Sequence, residues 1–295
     1  MAHSFDPSLA LRPGGTAVIT GAASGFGREL ALLCSAEGMR LVLADVDEIG
    51  LARTAELTGL PPQAVCAQRC NVADAGEVDQ LAALAAERFG AVHLLFNNAG
   101  VIAAGAVWKA TPQDWQWVFG VNVMGVANGV RSFVPGMLAH GEPAWVVNTA
   151  SVAGLVCPPE LSVYAASKHA VVALSECLHH ELAASGRPVG ASVLCPAYVD
   201  TGIADAHRHR PPELAERNPE DPAILERTKK AMQAGRLSAR DVAQRTLAGV
   251  REGRFYILPH RSAVSGVESR LQAVLAGGAP DNPLGGVGVA PQAQP

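Results

Sequence analysis

Apolar positions along this chain fall into two patterns that alternate. Short, nearly continuous runs rich in β-formers occur at "TAVIT" (16–20), "RLVLAD" (40–45), "AVCAQRC" (64–70), "HLLFNN" (93–98), "AWVVNTAS" (144–151) and "GASVLCP" (190–196). Such runs predict strands buried on both faces. Between them the apolar residues recur at helical spacing. "GRELALLCSAEG" (27–38) ends on Gly38, a helix stop signal. A further helix follows the second strand, and others are predicted over 74–89, about 111–139 and about 161–185. Strands joined in this way by helices are repeated βαβ units. They predict an α/β fold with a doubly wound parallel sheet of Rossmann type in a single domain. Ligands of such sheets bind beyond the carboxyl ends of the strands.

The rhythm breaks after Pro196. Residues 197–237 are polar and rich in charge and proline, with "HRHRPPE" in the middle and room for one or two short helices. "SARDVAQRTLAGVREG" (238–253) resumes as a helix with Ser238 as N-cap and Asp241 as its partner three residues on. "RFYILPH" (254–260) reads as a last strand, followed by a helix near 262–276 and a Gly/Pro-rich, flexible tail. The chain therefore divides into an N-terminal extension (1–13), an α/β domain (14–260) that includes the irregular segment 197–237, and a C-terminal helix with tail (261–295).

Composition narrows the function class. The 295 residues are 49% hydrophobic and 17% charged, ordinary for a globular protein. A net charge of −4 argues against a general nucleic-acid binder. No basic n-region with an apolar run opens the chain, and no stretch reaches the ~18 apolar residues of a membrane span, so a cytoplasmic address is expected. Cys34, Cys66, Cys70, Cys157, Cys177 and Cys195 are scattered, without CxxC or zinc spacing, so no metal is expected. Five of them sit in predicted strands or helices and read as buried thiols. Cys157 falls in a loop near the site argued below.

"TGAASGFG" (20–27) leaves the first strand and opens the first helix. Gly21, Gly25 and Gly27 allow a tight turn and close approach of a pyrophosphate, and the helix N-terminus offers free N–H groups. No Lys-Ser/Thr pair follows, so this is not a nucleotide triphosphate loop. Asp45 ends the second strand, where a carboxylate accepts hydrogen bonds from an adenosine ribose and repels a 2′-phosphate. Like charges ~4 Å apart repel by roughly 4 kcal/mol at an effective dielectric of 20. No basic residue stands at Ser24 or Val46 to offset it, which favours NAD over NADP. Asp47 is the better candidate to cap the next helix. "NVAD" (71–74) and "NNAG" (97–100) follow the third and fourth strands. Asn71 can present an amide to adenine, and Ala99 and Gly100 let backbone approach a ribose.

"YAASK" (164–168) joins one of the three tyrosines to one of the four lysines (109, 168, 229, 230). The spacing puts Tyr164 and Lys168 on one helix face. Ser151 ends the fifth strand at the same sheet edge as the glycine turn. Oxidising an alcohol sends a hydride to a nicotinamide and a proton to a base. A free tyrosine has a pKa near ~10 and a base wants ~7, a gap of roughly 4 kcal/mol. One ammonium ~4 Å away offers about that much, so Lys168 is expected to acidify Tyr164. Ser151 would hold the substrate oxygen.

With "TGAASGFG", Asp45, "NNAG", Asn122 in "VNVMG", Ser151 and "YAASK" together, the chain resembles a short-chain dehydrogenase/reductase over about residues 14–260. The resemblance is to the shorter, NAD(P)-dependent redox branch. It implies that Asn122 keeps a proton-relaying water chain and that Lys168 also bonds the nicotinamide ribose. It implies that Thr201 in "PAYVDT" contacts the carboxamide. It also places Ser24, Phe26, Val72, Asn98, Pro196 and Val199 along the cofactor. Two departures stand out: Asn71 replaces a common Asp, and Pro196-Ala197 replaces Pro-Gly. Family members usually pair through the helices at 111–139 and 161–185, which implies a homodimer or homotetramer.

Segments 101–108, 152–161 and 197–237 are expected to face the substrate. The first two are mainly apolar, which points to a bulky, weakly polar secondary alcohol or ketone. "HRHR" (207–210) is either an anion receptor or a solvated lid face. The leading expectation is an NAD-dependent alcohol dehydrogenase. The alternatives are an NADPH-dependent ketoreductase, separable by cofactor binding, and a non-catalytic NAD-sensing protein, against which the Ser, Tyr and Lys set speaks.

Overall fold

A computed structural model of the protein describes residues 5–283. Seven strands, β1 (Thr16–Thr20), β2 (Arg40–Asp45), β3 (Val65–Arg69), β4 (Leu94–Asn97), β5 (Ala144–Thr149), β6 (Val189–Leu194) and β7 (Tyr256–Ile257), form one sheet among the described residues. Every pairing is parallel, in the order β3-β2-β1-β4-β5-β6-β7. Val18 in the centre of β1 faces Val42 on one side and Leu95 on the other.

Both faces of the sheet are covered, which is why its central strands are continuous apolar runs. Alternation sends Ala17, Ile19, Leu41, Leu43, Leu94 and Phe96 to one face. There they meet α1 (Gly25–Ala36), α2 (Glu48–Leu57) and α8 (Ala239–Arg251) through residues such as Leu30, Leu51 and Leu247. Val18, Val42 and Leu95 point the other way, onto α3 (Ala75–Phe89), α5 (Gly125–His140) and α6 (Ser162–Ser185). α4 (Pro112–Phe119) runs into α5 through a π-helical turn at Gly120–Met124, giving the long helical region that the spacing predicts. Ala10 and Leu11, inside the segment read as an extension, are buried in the first core, and Phe5 packs on Trp145.

Beyond β6, residues 203–209 and 212–214 are 3₁₀ turns and α7 (Asp221–Gln233) is a full helix of 13 residues. The segment expected to form a lid is therefore more helical than its polarity suggests. Ile224, Leu225 and Thr228 form a narrow buried stripe on a helix that is otherwise charged. α9 (Ala263–Ala276) closes the described chain, and the flexible tail expected over 277–295 lies outside the described residues from 284 on. Cys34, Cys70 and Cys195 are buried, as expected, but Cys66 is half-buried and Cys177 is exposed on the outer face of α6. No helix among the described residues is long and apolar enough to cross a membrane.

At the amino edge of the sheet, His93 replaces a strand partner. Thr16 N donates to its Nδ1 at 3.0 Å, and its Nε2 faces Arg12 Nη2 at 2.7 Å and Glu142 Oε2 at 3.3 Å, an oxygen that Arg12 also bonds. Burial first, then the Arg12 guanidinium, holds the imidazole below its ordinary pKa of 6.5. The unfolded chain therefore takes up this proton first. His93 supports the fold above about pH 6.5, and the support is lost as pH falls from there toward the folded value. Thermal melting from about pH 7.5 down to about pH 5 should show this loss, and His93→Asn, which keeps an acceptor for Thr16, should flatten it. Parallel losses in both proteins would remove His93 as the cause.

Candidate active site

After β1 the chain moves outward to β2 and β3, then β4 returns to the other side of β1. That switch opens a crevice at the carboxyl ends. The loop after β1 enters it through Gly21 (φ +66°) and Gly25 (φ +52°), a region that favours glycine. A Cβ on Gly21 would lie 2.8 Å from Ala99 Cα, and one on Gly25 2.9 Å from Thr201 Cβ. Ser24 is extended ahead of α1 and makes no side-chain cap, and the first turn of α1 carries no acid. Its N–H groups are thus left for an outside anion. Phe26, in the first turn of α1, packs against the first core.

Asp45 faces the turn. Its Oδ2 accepts from Ala23 N at 2.9 Å and its Oδ1 from Asp47 N at 3.0 Å. Asp47 caps α2 by accepting from Gly50 N at 2.9 Å. The nearby Arg28 guanidinium is engaged by Ala23 O, Gly50 O and Thr54 Oγ1. Asn71 Oδ1 accepts from Ala73 N, which leaves its amide nitrogen as the outward donor. Val72 is buried under Gly125, and its carbonyl accepts from Asn128, so its side chain belongs to the core. Asn98 is a tie between strand ends: its N–H donates to Thr20 Oγ1 and its Nδ2 to Thr20 O. Ala99 N also donates to Thr20 Oγ1.

On the other side of the crevice lie the polar groups expected to carry the chemistry. Ser151 Oγ accepts from Ala153 N at 3.1 Å, donates to Pro196 O at 3.3 Å and shares a hydrogen bond with the Tyr164 side chain. Lys168, buried on α6, donates from Nζ to Thr149 O at 2.9 Å. That ammonium stands 5.7 Å from the Tyr164 ring centroid. A Cβ on Gly100 would touch both Lys168 Nζ and Asn122 Oδ1 at 3.4 Å. Asn122, in the π-helical turn, is wholly buried. It accepts from Val101 N, and its Nδ2 donates to Val101 O and Ser167 Oγ. The turn thus aims one side chain at the loop after β4 and at α6 together.

The electrostatics differ from the simple expectation that Lys168 acidifies Tyr164. Burial pushes the phenol up to about 12, with the Ser151 hydrogen bond pulling the other way. Burial also lowers the Lys168 ammonium to about 8. Both groups lose water at the sheet edge, and desolvation exceeds their mutual effect in the protein alone.

After β6, Pro196 O accepts from Val152 N, and Ala197 N donates to His260 Nδ1 at 3.1 Å. Val199 is buried in the core and Thr201 lies against Gly25. The three segments expected to face substrate do meet. Ile102, Ala104, Leu161, Ile224 and Leu225 pack together with Tyr164 and Ile203. Gly105 N bonds Glu160 O at 2.7 Å, which zips the first two segments together. Glu160 holds a left-handed φ of 63° there while its carboxylate pairs with Arg227 of α7. Trp108 instead points outward, 82% exposed.

The bolts of the lid are residues whose role is not evident from the sequence. Asp114 is buried and accepts from Arg210 Nη1 at 2.8 Å, and from Asn218 N and Thr111 N at 3.0 Å each. Arg210 also reaches Leu214 O and Glu216 O and stacks over Trp117 at 4.9 Å. With side chains 3% and 1% exposed, the pair is neither a solvated face nor a free anion receptor, which corrects both readings of "HRHR" at Arg210. His207 stacks on Trp117 at 4.7 Å and stands 2.8 Å from the buried Asp221, whose other oxygen accepts from Ala104 N. Thr111 and Asp114 form a capping box, the same signature as Ser238–Asp241, so Asp114 had a signal in the sequence.

Comparison with known proteins gives a consistent picture. A family model described as short chain dehydrogenase matches residues 15–212. The CLA biosynthesis dehydrogenase/reductase of Lactiplantibacillus plantarum is 31% identical over 270 residues, 89% of this chain and 94% of that protein. The C alpha-dehydrogenase of a Sphingobium species is 34% identical over 273 residues, 90% and 86% of the two chains. Among solved structures, a short chain dehydrogenase/reductase from Burkholderia phymatum in complex with NAD is 50% identical. It superposes with a TM-score of 0.89 over 92% of this chain and 98% of that one.

Proposed function

The chain belongs to the short-chain dehydrogenase/reductase family and is an oxidoreductase; on that premise we propose that it moves a hydride between NAD and a bulky, weakly polar secondary alcohol or its ketone. The observation that carries this reading is the convergence of Ser151, Tyr164 and Lys168 across the crevice from the glycine turn. The turn fits a dinucleotide: its glycines leave a cradle that a Cβ would fill, and α1 meets it with uncapped N–H groups. Bound there, the dinucleotide would accept the hydride and bring a positive ring beside the phenol.

In this reading Tyr164 takes the alcohol proton at its phenolic oxygen. Ser151 turns its hydroxyl from Pro196 O to the substrate oxygen. Lys168 holds the ribose and lends positive charge, and Asn122 fixes the loop after β4. Gly21, Ser24, Gly25, Phe26 and Gly27 would hold the pyrophosphate, Asp45 the adenosine ribose, and Asn71 the adenine. Val72, Asn98, Ala99 and Gly100 would shape the adjoining wall, and Pro196, Val199 and Thr201 the nicotinamide end. Three supports favour NAD over NADP: Asp45 at the ribose edge, Arg28 occupied by carbonyls, and the NAD held by the Burkholderia phymatum relative. The apolar packing around Tyr164 supports the substrate class. A homodimer or homotetramer working in the cytoplasm completes the proposal.

The test titrates NADH and NADPH in parallel, then follows NADH absorbance across a panel of secondary alcohols with NAD. NADH should bind more tightly, by about tenfold or more, the effect of one unpaired like-charge contact. Tighter NADPH would overturn the cofactor assignment, and silence across hydrophobic alcohols and ketones would overturn the substrate class.

A further inference from the structure

The lid touches the cofactor cleft at two points, and only the first falls within the assignments above. At its start, Thr201 lies against Gly25 of the glycine turn. At the far end of the 3₁₀ turn Ile203–His209, the His209 imidazole crosses to the end of β2, where Nε2 stands 3.8 Å from Asp47 Oδ2. Asp47 in turn donates its N–H to Asp45 Oδ1, the carboxylate placed at the ribose edge.

We propose that His209 is a second contact for the adenosine half of the dinucleotide, reaching over from the lid beside Asp47 toward the ribose hydroxyls that Asp45 marks. The inference rests on the nucleotide reading of Asp45.

Two features support it. His209 is presented by anchored neighbours: His207 packs on Trp117, and Arg210 is bonded to Asp114 and lies over Trp117. The His209–Asp47 contact itself is a poor device for holding the fold. Its side chains are 31% and 27% exposed, and pairs in such positions contribute little to stability. An imidazole presented beside the Asp47 carboxylate can donate from one ring nitrogen and accept from a ribose hydroxyl at the other. The lid would then read both ends of the cofactor, Thr201 the nicotinamide end and His209 the adenosine end.

The experiment measures equilibrium binding of three probes to the full chain: NADH, ADP-ribose and reduced nicotinamide mononucleotide, which lacks the adenosine. His209→Ala should weaken NADH and ADP-ribose by about 3- to 10-fold, the effect of one hydrogen bond, and leave the mononucleotide unchanged. His209→Gln, which keeps a donor, should recover most of the loss. Unchanged NADH and ADP-ribose would overturn the proposal, and so would equal weakening of all three probes, which would mean a general disturbance of the lid. Asp45→Ala separates the two levels of inference. If it weakens NADH while His209→Ala does not, only the His209 contact fails. If neither matters, the ribose edge has been misplaced and the nucleotide reading of Asp45 fails with it.

Discussion

Replacing Tyr164 with Phe lowers turnover by about a thousandfold or more, the usual contribution of a positioned general acid or base, and leaves NADH affinity within about twofold. The substitution removes one oxygen and keeps the ring, so the apolar packing with Ile102, Leu161, Ile224 and Leu225 survives. The phenol is pushed up to about 12, chiefly by burial and against the pull of Ser151, so it releases a proton only with positive charge at hand. Lys168 is the protein's own source of that charge. Its ammonium, lowered to about 8, is still mostly protonated at neutral pH. Steady-state kinetics with NADH titration distinguishes the outcomes. A loss of kcat with cofactor binding retained fits a base, whereas turnover surviving in the Phe variant removes Tyr164 from the chemistry.

Gly27→Ala weakens cofactor binding by a different route. A Cβ on Gly27 would lie 2.0 Å from Gly21 O and 2.9 Å from Ala22 Cα, both backbone, so no side chain can swing aside. The turn must open, and the N–H groups of α1 lose their aim. Overpacking of this kind costs about 1–3 kcal/mol, and the misaligned turn should raise the Kd for NADH by about a hundredfold. Gly136, on the outer side of α5, serves as the control, because a Cβ there would meet nothing within 4 Å: Gly136→Ala leaves affinity unchanged. Wild-type affinity in Gly27→Ala would show that the cleft does not hold the pyrophosphate at this turn.

Much of this architecture is legible in the chain. β1 and β2 begin and end where the apolar runs do, because residues buried on both faces leave no polar alternation to blur their limits. The last strand is shorter than its run, two residues against seven, because β7 lies at the sheet edge and pairs only with β6. Tyr164 and Lys168 follow from spacing along one helix, and Ser151 from its place at a strand end. What the sequence withholds is pairing across distance. Nothing in "HRHR" announces that Arg210 will meet Asp114, 96 positions earlier, in the interior. The balance between desolvation and Lys168 at Tyr164 is equally invisible, since it depends on how much water the folded edge excludes. Cys177 reads as buried because it sits in a predicted helix, yet α6 has an outer face and the thiol falls on it.

The two buried carboxylates, Asp114 and Asp221, join stretches of chain that evolution and protein engineers alike would have to inherit together. Transplanting residues 203–233 from a relative would strand Asp114 without its guanidinium unless the segment 104–118 travelled too. The two segments therefore form a two-piece cassette, and recombination that respects the join can exchange it without disturbing the sheet beneath.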